Sequence, residues 1–125
     1  MPVIHAPTAP THTLAGTTFT SLATPSRGST SDTSVWRVSI APGTKPTPHA
    51  LTREEIFVVL MGSADVTIDV TQASAGAGDA IVVPPGVPFS LANPGDDPLE
   101  LLCCLPVGGQ ARLDDGTLLT PPWAQ

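Results

Sequence analysis

The chain has 125 residues, with eleven Asp plus Glu against five Lys plus Arg, fifteen prolines, eleven glycines and no tyrosine. That length suits one domain around a single core, and the acidic balance repels phosphate backbones and anionic lipid, which argues against nucleic acid and membrane surfaces as partners. Short runs of Val, Ile, Thr and Phe cut by Gly and Pro argue against a helical bundle and predict an all-β chain.

In chain order, residues 1–16 read as a Pro/Thr-rich arm that carries His5 and His12 and is either loose or docked. The first residues hold no charged and apolar leader pattern, and no run of about 18 apolar residues escapes a proline, so a cytoplasmic chain is expected. A strand follows at 17–22, then a polar loop at 23–34, then a strand at 35–40. On that strand Trp36, Val38 and Ile40 share one face, and Val35, Arg37 and Ser39 the other. Further strands are predicted at 56–61, 64–70, 80–83, 89–93 and 99–105, with the small-residue run 73–78 as a connector. Cys103 and Cys104 are adjacent in a strand and point to opposite faces, so they do not readily pair; each is buried packing material or a thiol facing the interior. The tail at 106–125 ends in a proline-stiffened stretch with Trp123, read as a clasp or a lid. The whole chain, 1–125, is taken as one domain with its barrel core at 35–105.

Two segments, 43–62 and 78–93, carry the chemistry. In the first, Gly43 and the prolines at 42, 46 and 48 deliver His49, and Glu55 opens a strand-forming run that Gly62 ends. The second answers with Gly78, Pro84, Gly86, Phe89 and Asn93. If His49 points inward, alternation sends Leu51 inward too, and Glu55, Phe57 and Val59 share one face of the next strand. The opposite face, Ile56, Val58 and Leu60, is also apolar and needs a cover. The chain's own other sheet is one cover and a second subunit another; a homodimer is the expected arrangement.

These spacings resemble the two motifs of the cupin superfamily, G-x5-H-x-H-x3-E-x6-G and G-x5-P-x-G-x2-H-x3-N. Every Gly, Pro, Glu and Asn falls at its offset, whereas Leu51 and Phe89 stand at two of the three histidine positions. The resemblance implies a cupin-type jelly-roll antiparallel β-barrel, pairing of subunits through their sheets, and, in members with the full set, three histidines and a glutamate around Fe, Mn, Ni, Zn or Cu. Only His49 and Glu55 carry over, short of the three protein ligands a transition metal normally needs. No metal cofactor is therefore expected. The alternative is a divalent transition metal on His49, Glu55 and a donor from outside the motifs, such as His5, His12 or a cysteine.

Without an ion, His49 and Glu55 are expected to bond directly or through one water as an acid/base pair, with burial raising the carboxyl's proton affinity. The expected partner is a small organic molecule in an apolar cavity edged by Leu51, Phe57, Val59, Phe89 and Leu91, with Arg37 as a further candidate. Dehydration, isomerisation or cyclisation suits such a pair. A non-catalytic ligand-binding or sensor cupin and a metal-dependent cupin enzyme are the competing readings. No phosphate loop or nucleophile elbow is present, which speaks against nucleotide and serine hydrolysis.

Overall fold

In the computed structural model, which describes residues 3–125, the strand formers and Gly/Pro turns resolve into twelve strands and one 3-10 turn. The strands are β1 His12–Leu14, β2 Thr17–Ala23, β3 Thr33–Ile40, β4 Ala50–Leu51, β5 Glu55–Met61, β6 Ser63–Ile68, β7 Thr71–Gly76, β8 Ala80–Val83, β9 Phe89–Ala92, β10 Leu99–Pro106, β11 Ala111–Arg112 and β12 Leu118–Leu119, and the turn is Pro122–Ala124. A six-stranded sheet runs β1-β2-β3-β10-β5-β8, and three-stranded sheets run β12-β11-β4 and β7-β6-β9. All pairings are antiparallel, and together the sheets make an all-β jelly-roll barrel. No helix among the described residues is long and apolar enough to cross a membrane.

Alternation along the strands builds the interior. Leu99, Leu101, Cys103 and Leu105 of β10, Glu55, Phe57 and Val59 of β5, and Trp36 and Val38 of β3 are buried on one face. All of these except Glu55 join Leu51, Phe89, Val66 and Ala111 from the smaller sheets in one hydrophobic core cluster. Burial of these side chains supplies the main driving force for folding, roughly 1.5–3 kcal/mol for each large one.

Several sequence expectations shift. The arm docks: His12 to Leu14 pair with Phe19 to Thr17, while Met1 and Pro2 lie outside the described residues. The strand expected through Val70 stops at Ile68, because Asp69 turns the chain at a φ of 54°; Asp tolerates that left-handed conformation and Val does not. The run expected as a connector, 73–78, belongs mostly to β7, which pairs with β6 from Ile68↔Thr71 to Ser63↔Gly76. Its exposed small residues give no apolar alternation to read.

The motif residues outside the site are structural. Gly62 has a φ of 85°, and a Cβ there would stand 2.9 Å from the Pro98 carbonyl oxygen. Asn93 donates through Nδ2 to the carbonyls of Ile40 (2.9 Å) and Asp97 (2.8 Å), while its Oδ1 accepts from the Gly95 amide (3.0 Å). Those three bonds tie the β9–β10 connection to the end of β3.

Candidate functional site

His49 is positioned by its backbone. Flanked by extended, proline-restricted chain, it exchanges two hydrogen bonds with Phe89, at 3.1 and 2.8 Å, which joins the segment before β4 to β9. Its ring lies 4.5 Å from that of Phe89 at 52°. Nδ1 is 2.9 Å from the Thr47 carbonyl oxygen. A carbonyl only accepts, so Nδ1 carries the proton and the neutral ring keeps its lone pair on Nε2. The side chain is half-buried.

Glu55 opens β5 with its side chain in the interior, 4% exposed. Burial alone pushes its carboxyl up to about 8, with no cation or hydrogen-bond donor offsetting it. The other buried polar side chains, Ser21, Thr24, Ser34 and Asn93, all hold hydrogen bonds. Glu55 is the exception. A carboxyl in that state is neutral at pH 7 and holds a transferable proton.

The structure does not join His49 and Glu55 directly. The one ion pair among the described residues, with N···O within 4.0 Å, is Arg37–Glu100 at 3.5 Å, and His49 commits Nδ1 to Thr47. Arg37 is thereby placed on the outer face of the large sheet and not in the interior, as its position between inward Trp36 and Val38 requires.

Leu51, Phe57, Val59 and Phe89 are buried where alternation places them, within the core cluster. Phe57 and Phe89 meet ring to ring at 5.7 Å, and Leu91 is half-buried against the core. Two concavities, about 370 and 430 Å³, lie elsewhere, one beside Ala124 and Gly108 and the other on the β6–β7 surface at Asp65 and Gln72.

The interior also holds one of the two thiols that the sequence allowed to face it. Cys103, fully buried, pairs across the ladder with Trp36 and Phe57. Burial holds its thiol well above the usual range, and the nearby Glu55 and Cys104 push it the same way. It is therefore an unreactive thiol while the barrel stays closed. Only register reveals this neighbour, and register is not written in the spacing of two cysteines.

The metal set carried by full-motif relatives does not fit these residues. Among the described residues no three of His, Cys, Asp and Glu converge. His12 turns Nδ1 to Thr11 Oγ1 at 2.9 Å and its ring edge toward Trp123, and His5 is exposed. Leu51 and Phe89 fill the remaining ligand positions with hydrocarbon.

Comparison with known proteins agrees with the geometry. A protein-family model described as the cupin domain matches residues 36–105, more than half of the chain. An uncharacterized protein of Methanocaldococcus jannaschii, MJ1618, is 40% identical over 53 residues, which span 42% of this chain and 42% of that protein. Among solved structures, KdgF from Halomonas sp. superposes with a TM-score of 0.67 at 23% identity, covering 86% of this chain and 89% of that one. An RmlC-like cupin from Shewanella frigidimarina superposes with a TM-score of 0.67 at 17% identity, covering 82% and 83%. At those identities the likeness extends to the fold.

Proposed function

The chain belongs to the cupin superfamily, and from that premise we propose that it binds a small organic metabolite at the Glu55–His49 end of its barrel and moves a proton on it without a metal. The reaction class is dehydration, isomerisation or cyclisation. Glu55, held neutral, donates a proton to a leaving hydroxyl or a carbonyl oxygen, and Nε2 of His49 accepts one from the carbon beside that carbonyl. Their lack of direct contact suits a substrate lying between them. The observation that carries this reading is the buried carboxyl of Glu55, which holds no hydrogen bond while the side chains of buried Ser21, Thr24, Ser34 and Asn93 all do. A charged or unpaired group in such a place destabilises the fold, and function is the usual reason it is kept.

The apolar interior favours a second reading, a non-catalytic ligand-binding cupin, since Leu51, Phe57, Val59 and Phe89 surround the site with hydrocarbon that can hold a ligand and cannot move a proton. One experiment separates the two. Purified protein is incubated with a panel of small hydroxy- and keto-acids and followed by NMR for both binding and product. Turnover lost in Glu55→Gln and His49→Ala supports the acid/base reading; saturable binding with no product replaces it by the binding module. Stoichiometric iron, zinc, nickel or manganese in the same preparation, with chelator-sensitive turnover, overturns both.

The apolar outer face of the large sheet supports a homodimer as the working assembly. Leu60, Met61 and Val82 are 40%, 56% and 51% exposed there, beside half-buried Ile56 and Val58.

A further inference from the structure

We propose that residues 121–125 form a releasable strap over the Glu55 end of the barrel, and that its departure admits the ligand. The inference rests on reading that end as the ligand site.

The strand register places the strap. Leu105 pairs with Ser34, and Cys104 pairs with Ile56. One residue further along that ladder, Leu105 lies beside Glu55, which pairs in turn with Val83. Ser34, Leu105, Glu55 and Val83 thus form one inward row across four neighbouring strands, each at most 4% exposed. The strap is fixed to this row and to the strand next to it. Ser34 Oγ donates to the Ala124 carbonyl at 2.6 Å, Ser21 Oγ to the Trp123 carbonyl at 2.7 Å, and Thr24 Oγ1 to the Gln125 carbonyl at 3.2 Å. Three successive carbonyls are held by three buried hydroxyls, and the Trp123 ring stacks on Phe19 at 3.6 Å and 6°.

The manner of attachment makes the strap releasable. No strand pairing includes it; its backbone bonds run within the turn, Ala124 to Pro121 and Gln125 to Pro122, and from the Ser26 amide to the Gln125 carbonyl. It can leave as a unit without opening the six-stranded sheet, the kind of local opening that precedes global unfolding. A crevice of about 370 Å³ beside it, lined by Pro25, Ser26, Pro106, Gly108 and Gly109, gives it room. Departure also frees the hydroxyls of Ser21, Thr24 and Ser34, which can then donate to the carbonyl or carboxylate of a ligand as they now donate to the strap. The closed interior around Glu55 and the ligand site of the proposed function then describe two positions of one segment.

Cys103 reports the opening without any substrate. It is 0% exposed and sits one inward position from Leu105 on β10. In a Cys104→Ser background it is the only thiol. Labelling by methyl methanethiosulfonate at one fixed pH and low urea is expected to be slow in this background and insensitive to urea. Adding Trp123→Ala or Ser34→Ala should each speed it about tenfold, the shift expected for removing one such contact. Val66→Ala, on the far sheet, serves as a control for general destabilisation and should leave the low-urea rate unchanged. The proposal is overturned if neither strap variant accelerates labelling, or if labelling climbs with urea along the global unfolding transition in every variant. Faster labelling in a protein that turns nothing over removes the catalytic reading and keeps the strap; unchanged labelling in an active protein removes the strap alone.

Discussion

At the scale of single residues, the site turns on what burial does to Glu55. Its carboxyl titrates at about 8 in the folded chain against an ordinary 4.5, so between those values the folded state binds a proton that the unfolded state has lost. The neutral carboxyl's contribution is complete below the ordinary value, and stability falls as pH rises through the window toward 8. The full excursion corresponds to about 5 kcal/mol at about 1.4 kcal/mol per pH unit. Urea melts of the wild type at pH values spanning that window should show a steep loss of stability, and Glu55→Gln, which keeps the shape and cannot ionise, should flatten it and be the more stable protein at alkaline pH. Equal slopes in the two proteins would mean that Glu55 is hydrated. Its inward position was legible in the sequence, because a glutamate at a fixed offset from His49 begins an alternating strand. Its isolation was not: the Thr47 carbonyl that occupies Nδ1 of His49 belongs to a proline-bounded turn whose path spacing does not define.

At the scale of elements, what could be read depended on whether a strand has two distinguishable faces. β3, β5 and β10 alternate or run apolar over seven or eight residues, and the sequence located them to within two residues. β7 is built from Ala, Ser, Thr, Gln and Gly and is mostly exposed, while β4, β11 and β12 have two residues each; backbone pairing alone makes them, and pairing partners are remote in sequence. The strap's three hydroxyl contacts have the same character, each spanning at least 90 residues. The motif glycines were legible as turns, and the structure supplies the reason at Gly62. Gly62→Ala would have to hold a φ of 85° with its Cβ 2.9 Å from the Pro98 oxygen, a strain on the order of 1–3 kcal/mol. Thermal melting should fall accordingly while the circular dichroism of the folded protein stays unchanged. Gly43, whose built Cβ meets nothing within 4 Å, should tolerate the same change with a smaller loss, and equal losses at both positions would assign the effect to backbone conformation alone.

At the scale of the whole molecule, the two faces of the large sheet make different demands. The inner face is sealed by the smaller sheets, but the outer one presents Ile56, Val58, Leu60, Met61 and Val82, with Leu102 of β10 opposite Val58. No other part of the described chain covers Leu60, Met61 or Val82, which are at least 40% exposed. A second copy would cover them isologously, each apolar row meeting its own image, and the Arg37–Glu100 pair next to that row would be repeated on both sides. Specific pairs of this kind bury roughly 800 Å² per partner, an area that several neighbouring strands of such a sheet can supply. Val58 lies between Leu102 and Ala80 in the ladder, so a charge there would be desolvated in the dimer and hydrated in the monomer. The wild type is expected to sediment as a dimer, and Val58→Asp as a folded monomer with the same circular dichroism. Because the strap and Glu55 act from inside the barrel, the monomeric variant should keep the slow labelling of Cys103. A wild type that sediments as a monomer at every concentration would leave the outer face without a second copy and remove the dimer from the proposed assembly.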